Sequence, residues 1–138
     1  MTGPLSKKLG VKGGMHAIFI NAPAGVIEEL ESPGLDVVSK LTGDFDYIHY
    51  FTRTQAELEG NFTRLKRHLK PTGMLWVSWP KSKKLESNLT LQLVIRTGYQ
   101  TGLVESKCVS VDPTWSALKF TVPKEGKVYN NSYGQLKL

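Results

Sequence analysis

The sequence predicts a three-layer α/β domain with a mostly parallel sheet and an antiparallel pair of strands near the C-terminal end. The first observation behind this prediction is a strand pattern at residues 46–51, a helix pattern from Thr54 onward, and a second strand pattern at residues 74–79. This succession implies a crossover connection and therefore a parallel pair of strands. The second observation is the turn chemistry of residues 112–114 between two alternating stretches, which favours antiparallel pairing.

The elements before this crossover are short. Residues 16–20 are apolar and are followed by a proline and a glycine, which predicts a buried strand and then a tight loop. Residues 26–30 have the pattern of a short helix, and residues 35–41 have that of a second strand. Residues 46–51 contain too few polar side chains for a strand with one wet face, so we expect this strand in the middle of the sheet.

Two helices are predicted from capping residues and periodicity. Thr54 and Glu57 have the spacing of a capping box, in which each side chain accepts a hydrogen bond from the other's backbone N–H. The first helix should end at the helix-breaking residues 71–73, and Gly102 is well placed to end the second helix, which Gly98 weakens. Apolar residues at helical spacing mark the buried faces: Leu58, Phe62, Leu65, Leu69, Leu89, Leu93 and Val94.

Length and composition indicate one globular domain. We place this domain at residues 1–124 of the 138, and we expect the polar residues 125–138 to form a tail that is mobile or held by a neighbour. No run approaches the length of about 18 apolar residues that a membrane-spanning helix needs. Residues 1–14 lack the apolar core of a signal peptide. The single cysteine, Cys108, fits a reducing compartment, and we expect the cytoplasm.

The chain is basic, with a net charge of +6 that favours acidic partners such as phosphates or nucleic acid. The basic residues are scattered, and none forms the long block that is typical of a nucleic-acid-binding tail. The lysines within residues 81–84, beside Trp79, make a nucleic-acid-binding accessory role one alternative. A solvated basic surface is the other interpretation.

Three of these segments resemble the class I methyltransferase-like fold, a Rossmann-like α/β architecture. Residues 45–51 are similar to its fourth strand, the helix from Thr54 to its crossover helix, and residues 69–77 (LKPTGMLWV) to the turn that leads into its fifth strand. The predicted antiparallel pair fits the end of the same fold. A closer similarity, over residues 5–122, is to an uncharacterised family of small bacterial proteins. It rests on KKLG at 7–10, NAP at 21–23, LWVSWPK at 75–81, GLV at 102–104 and DPTWSALKF at 112–120.

The expected cofactor loop is where this chain departs from the methyltransferases. The resemblance implies S-adenosylmethionine, held by a glycine-rich turn after the first strand and by an acidic residue that binds the ribose. The chain offers Asn21-Ala22-Pro23 instead, and Pro23 has no N–H to donate and a fixed φ angle. The segment between the first strand and residues 46–51 is also short, which leaves little room for the acidic residue that would bind the ribose. We therefore expect no cofactor and no catalysis, with a methyltransferase that has an atypical loop as the alternative.

The carboxyl edge of the sheet is the predicted binding site, because ligands of open parallel sheets bind there, where the strand order reverses. If the strand order resembles that of methyltransferases, seven residues converge at this edge: Asn21, Pro23, Phe51, Thr52, Arg53, Trp79 and Lys81. The set combines aromatic surface, an amide and two cations, which suits a small anionic or aromatic ligand or a partner. Loop packing and solvated charge are the alternative interpretation.

The remaining candidates favour structural roles. His49 lies in a predicted core strand, without a Ser, Cys or carboxylate beside it, so we expect a hydrogen-bonded core histidine. His16 and His68 show no ligand spacing, and no metal site is predicted. Cys108 is expected to be a small buried hydrophobe. Trp115 either closes the end of the core or covers a ligand.

Overall fold

Eight strands and two helices form the part of the chain that the computed structural model describes, residues 9–23, 36–81, 87–123, 128–131 and 134–137. The strands are β1 (His16–Ile20), β2 (Asp36–Val38), β3 (Phe45–Phe51), β4 (Leu69–Pro80), β5 (Val104–Ser110), β6 (Trp115–Thr121), β7 (Val128–Asn131) and β8 (Gly134–Lys137). The helices are α1 (Gln55–Arg67), which precedes β4, and α2 (Leu91–Thr101), which precedes β5.

Six of the strands form one sheet in the order β2-β1-β3-β4-β6-β5. The strands β2, β1, β3 and β4 pair in parallel, whereas β6 pairs antiparallel with both β4 and β5. Helix α1 is the crossover between β3 and β4 that the succession of strand, helix and strand predicted. The structure thus confirms the predicted α/β fold with a mostly parallel sheet and an antiparallel C-terminal pair.

Strand β3 lies in the middle of this sheet, as its composition predicted. It pairs with β1 on one side and with β4 on the other, so that Tyr50 lies between Ile20 and Val77. Every residue of β3 except Asp46 is buried. A strand that is covered on both faces needs apolar and aromatic side chains on both, which is the pattern that residues 46–51 show.

Both described helices pack on the same face of the sheet. Leu58, Phe62 and Leu65 of α1 and Val94 of α2 belong to one buried cluster with side chains of β3, β4 and β6. The rings of Phe62 and Phe120 meet edge to face, with their centroids 5.2 Å apart. Burial of these side chains is the main favourable contribution that holds the helices against the strands.

A second buried cluster occupies the other face of the sheet. Its largest side chains are Tyr47, Phe51, Trp76 and Trp115. Leu9 joins this cluster, and its backbone carbonyl accepts a hydrogen bond from the indole N–H of Trp76 at 3.0 Å. The indole therefore satisfies its one donor while its rings remain buried.

Helix α1 begins at Thr54, as predicted, with a modified capping box. The Thr54 hydroxyl accepts a hydrogen bond from the Glu57 backbone N–H at 3.2 Å. The Glu57 carboxylate accepts in return from the backbone N–H of Arg53 at 3.3 Å, one residue before the position that the standard motif uses. At the other end, the Lys66 ammonium donates to the Thr101 carbonyl of α2 at 2.7 Å. One cation of the basic last turn thus ties the two helix ends together.

Strand β4 is longer than the sequence predicted. Residues 71–73 were expected to break the helix before a strand at residues 74–79, but they belong to the strand, and Leu69 begins the strand rather than continuing the helical face. Phe45 pairs with Leu69 and Tyr47 pairs with Met74, so four residues, 70–73, lie opposite Asp46 alone. This irregularity accommodates Pro71, because a proline that cannot donate to the ladder is tolerated at such a bulge.

Other expectations differ from the structure or fall outside the described residues. The second strand covers only Asp36–Val38, and the helix predicted at residues 26–30 lies outside the described residues. The prediction that Cys108 is buried is wrong: the residue is exposed, and it lies on β5, an edge strand of the described sheet whose residues 106–108 are all exposed. In the predicted tail, β7 and β8 pair antiparallel with each other, and β8 contacts α2. Neither described helix is long and apolar enough to cross a membrane.

Gly98 and Gly60 give a matched test of the helix packing. A Cβ atom on Gly98 would lie 2.0 Å from Cε1 of Phe120, whereas a Cβ atom on Gly60 would meet nothing within 4 Å. We expect Gly98→Ala to lower the free energy of unfolding by about 1–3 kcal/mol through overpacking. Gly60→Ala, in an exposed helical position, should raise it by up to about 1 kcal/mol. Urea denaturation measures both, and equal effects of the two variants would contradict the packing of α2 on Phe120.

Candidate functional site at the carboxyl edge of the sheet

A cavity opens where β1 and β3 end at the carboxyl edge of the sheet. Its volume is about 370 Å³. The residues that line it are Asn21, Pro23, Phe51, Thr52, Arg53, Glu57 and Trp115. They come from the loop after β1, the end of β3, the first turn of α1 and the start of β6, so the sheet topology brings together segments that are far apart in the sequence.

Asn21 is the first residue after β1 and has an unusual backbone conformation. Its φ angle is +59°, in the left-handed region that glycine enters without steric cost and that asparagine tolerates better than most residues. Its side-chain amide donates to the Phe51 carbonyl at 3.5 Å, which connects the loop after β1 to the end of β3. The turn therefore has a glycine-like backbone conformation at this point, and Asn21 adds an amide side chain to the cavity wall.

Two aromatic rings form the apolar wall of the cavity. Phe51 and Trp115 meet edge to face, with their centroids 5.3 Å apart. Trp115 is 8% exposed and belongs to the second buried cluster, so it both closes the core and lines the cavity. Its backbone N–H donates to the Asp112 carboxylate at 2.8 Å, which fixes the turn in front of β6. The position of Trp115 is thus fixed by contacts within the protein and does not depend on a bound ligand.

The polar wall is organised around the Glu57 carboxylate. Its Oε1 accepts from the Thr52 hydroxyl and from the Arg53 backbone N–H, each at 3.3 Å. Thr52 is only 2% exposed, and its own N–H donates to the Ser78 carbonyl of β4 at 3.0 Å. The Arg53 side chain is exposed, and it forms no ion pair with any residue in the described part of the chain.

Five of the seven residues that the sequence predicted for this edge line the cavity, and two lie elsewhere. Trp79 is 5% exposed and packs in the cluster beneath the helices, because Phe51 pairs with Ser78 and the next residue of β4 faces the opposite side. The Lys81 ammonium donates to the Ser110 hydroxyl at 2.5 Å, toward the β5 edge.

Glu57 and Trp115 line the cavity but were missing from the predicted set. The sequence did contain a signal for each of them. The capping-box spacing marked Glu57, and Trp115 follows a turn, where the sequence left open that it covers a ligand.

A buried hydrogen-bond chain lies directly behind Phe51. The Tyr47 hydroxyl is 2.8 Å from His49 Nδ1, and the Ser78 hydroxyl is 2.6 Å from His49 Nε2. The imidazole stacks on the Phe51 ring, with the centroids 4.3 Å apart. The prediction of a hydrogen-bonded core histidine is confirmed. Ser78 could not be found as its partner, because it lies 29 residues away and only the pairing of β3 with β4 brings it close.

Burial controls the ionisation of this chain. Loss of hydration lowers the pKa of His49 to about 3, because the charged imidazolium is disfavoured in the core. The same effect raises the pKa of Tyr47 well above its usual range. Both groups are therefore neutral near pH 7, and one ring nitrogen of His49 donates while the other accepts.

The other histidines have protein partners. His16 Nδ1 lies 2.7 Å from the Asp36 carboxylate, and His68 Nδ1 lies 2.6 Å from the Gly43 carbonyl. Over the described ranges, no group of three or more His, Cys, Asp or Glu side chains is placed to hold a metal ion.

The described residues of this edge do not fit the S-adenosylmethionine cradle that the family resemblance implies. The loop after β1 places Pro23, which has no N–H, on the cavity wall. The residues that follow β2 are Ser39 and Lys40, so this position carries no acid for the ribose. Asp36 lies at the opposite end of β2, where it contacts His16.

No protein-family model matches the chain, and no curated protein matches its sequence. Solved structures do resemble it. The ribosomal protein L11 methylase from Lactobacillus delbrueckii subsp. bulgaricus has a TM-score of 0.60 at 11% identity, over 87% of this chain and 76% of that chain. The precorrin-6y C5,15-methyltransferase from Geobacter metallireducens GS-15 has a TM-score of 0.57 at 12% identity, over 86% of each chain.

A third similar structure contains a bound small molecule. The magnesium protoporphyrin IX methyltransferase from Synechocystis PCC 6803, solved with bound SAH, has a TM-score of 0.57 at 10% identity, over 80% of this chain and 75% of that chain. Identities of this size show the fold alone. The chain therefore has the Rossmann-like fold of class I methyltransferases, as its sequence predicted.

The buried histidine predicts a loss of stability in mild acid. The unfolded chain binds a proton on His49 below pH 6.5, whereas the native protein binds it only near pH 3. Protonation therefore favours the unfolded state, and stability should fall as the pH is lowered from 6.5 towards 3, by on the order of 1 kcal/mol per pH unit from this group. Urea denaturation between neutral pH and mild acid measures the slope.

His49→Gln and His49→Asn are the controls for this slope, because each removes the titrating group and leaves the carboxylates of the protein unchanged. The wild-type slope in the acid range should exceed that of either variant by the contribution of one proton. Parallel stability curves for wild type and variants would contradict the buried neutral histidine.

Proposed function

We propose that the domain binds a small anionic or aromatic ligand, without catalysis, in the cavity at the carboxyl edge of the sheet. One observation carries the proposal: a single cavity is lined both by the aromatic residues Phe51 and Trp115 and by the exposed cationic residue Arg53. The cavity volume of about 370 Å³ falls within the range of small-molecule pockets. The aromatic rings supply apolar contact, and the guanidinium supplies two parallel donors for a carboxylate or phosphate.

The tightly held walls support a binding role. Trp115 is fixed by the Asp112 turn, and Thr52 is fixed by Ser78 and Glu57. Because these side chains are already ordered, a ligand would pay little conformational entropy to order them. The location supports the proposal as well, since ligands of open parallel sheets gather at this edge.

Arg53→Gln tests this proposal, with Arg96→Gln as its matched control. Both arginines are exposed and both changes remove one positive charge, but Arg96 lies on α2 and does not line the cavity. We expect a native mass spectrum of freshly purified wild-type protein to show a retained small molecule. Arg96→Gln should retain the molecule and Arg53→Gln should lose it. Equal retention by both variants would place the ligand outside this cavity.

A methyltransferase with an atypical cofactor loop is the alternative function. The fold likeness to methyltransferases favours it, and so does the glycine-like backbone of Asn21 at the turn where the family resemblance implies a glycine-rich loop. Titration calorimetry with S-adenosylmethionine, followed by a methyl-transfer assay on a cell extract, separates the two. Stoichiometric binding together with transfer would replace the proposed binding role.

A nucleic-acid-binding accessory role is a weaker proposal, supported by the net charge of +6. Several lysines already have partners within the fold: Lys66 caps the end of α2, Lys70 pairs with Asp46, and Lys81 contacts Ser110. Filter retention that falls steeply with salt would support this role, and no retention at low salt would remove it. We also propose that the protein is cytoplasmic and that it belongs to the family of small bacterial proteins that its sequence motifs resemble.

A further inference from the structure

We infer that the ligand of this cavity is a zwitterion with an aromatic side group, such as an aromatic α-amino acid, whose carboxylate binds Arg53 and whose ammonium binds Glu57. The inference rests on the proposed function and specifies its ligand class. Its starting point is that two residues of opposite charge, Arg53 and Glu57, line the same cavity but form no ion pair with each other. Each charge therefore has room for a ligand group of the opposite sign.

The Glu57 carboxylate is held in one orientation by its cap contacts. Oε1 accepts from the Thr52 hydroxyl at 3.3 Å, from the Arg53 N–H at 3.3 Å and from the Thr54 hydroxyl at 3.5 Å. All three contacts converge on Oε1, and no described residue donates to Oε2. A carboxylate that is fixed through one oxygen can accept a charged donor through the other without rearranging its surroundings.

The Arg53 backbone is fixed while its side chain is exposed. Its N–H donates to Glu57, and its carbonyl accepts from the Asn88 N–H at 3.3 Å. The guanidinium extends from a backbone that is anchored beside Glu57 at the start of α1. A planar guanidinium matches the two oxygens of a carboxylate.

Charge complementarity distinguishes a zwitterion from other ligands of the same size. A purely anionic ligand bound to Arg53 would approach the negative charge of Glu57, and a purely cationic ligand bound to Glu57 would approach Arg53. A ligand with both charges satisfies both residues. Phe51 and Trp115 then favour an aromatic side group, because an aromatic ring packs against them edge to face or in an offset stack.

The test uses four probes with the same ring: L-phenylalanine, 3-phenylpropionate, phenethylamine and ethylbenzene. The second lacks the ammonium, the third lacks the carboxylate and the fourth lacks both. In titration calorimetry on the full chain at low salt, L-phenylalanine should bind about tenfold or more tightly than either singly charged probe, a difference that corresponds to losing one charge-assisted contact.

Two variants assign the two charges separately. In Glu57→Gln the preference for L-phenylalanine over 3-phenylpropionate should disappear, and the variant should still fold because glutamine can replace glutamate in a capping box. In Arg53→Gln the preference for L-phenylalanine over phenethylamine should disappear instead. Glu59→Gln and Arg96→Gln, at exposed positions outside the cavity, should keep both preferences.

Each outcome decides a different statement. If 3-phenylpropionate binds the wild type as tightly as L-phenylalanine, the inference that the ligand is a zwitterion is wrong, while the proposal of small-ligand binding stands. If the preference exists but survives both Arg53→Gln and Glu57→Gln, the two residues are wrongly assigned. If none of the four probes binds at millimolar concentration, the aromatic amino-acid class is wrong, and the retained molecule in the native mass spectrum decides separately whether the domain binds a small ligand.

Discussion

The position of β3 is the constraint on which the rest of the structure depends. It pairs in parallel with β1 and β4, and nearly all of its side chains are buried, so neither its register nor its direction can change without exposing one of the two clusters. Phe51, Thr52 and Arg53 leave the sheet at its carboxyl end, and α1 starts immediately afterwards. Three of the residues that line the cavity are therefore consecutive, and the placement of their backbone follows from one strand.

The sequence predicted what depends on short-range patterns and on topology. The Thr54 and Glu57 spacing identified the start of α1, and the parallel arrangement brought Asn21 and Arg53 to one edge. It did not predict the direction of individual side chains on long strands. Trp79 belongs to the helix-covered face because of the pairing register of β4, and Cys108 is exposed on β5, which is an edge strand of the sheet that the structure describes. Such features depend on the order and the register in which the strands pair.

The loop after β1 is where the described residues differ from the cofactor site that the family resemblance implies. Asn21 has a backbone conformation that a glycine readily adopts, and its side-chain amide connects this turn to β3. Pro23 removes a backbone donor from the cavity wall, and Lys40 follows β2 where the family resemblance implies an acid. A few side chains thus change what the edge can recognise while the six-stranded sheet stays the same.

The hydrogen-bond chain behind Phe51 has a further property. Tyr47 and Ser78 can each donate or accept, so the neutral ring of His49 can carry its proton on either nitrogen with both bonds kept. The two tautomers differ in the direction of every bond in the chain, and they interconvert only if three hydrogens shift together. The ring plane on which Phe51 stacks is the same in both, so the geometry behind the cavity does not depend on which tautomer is present.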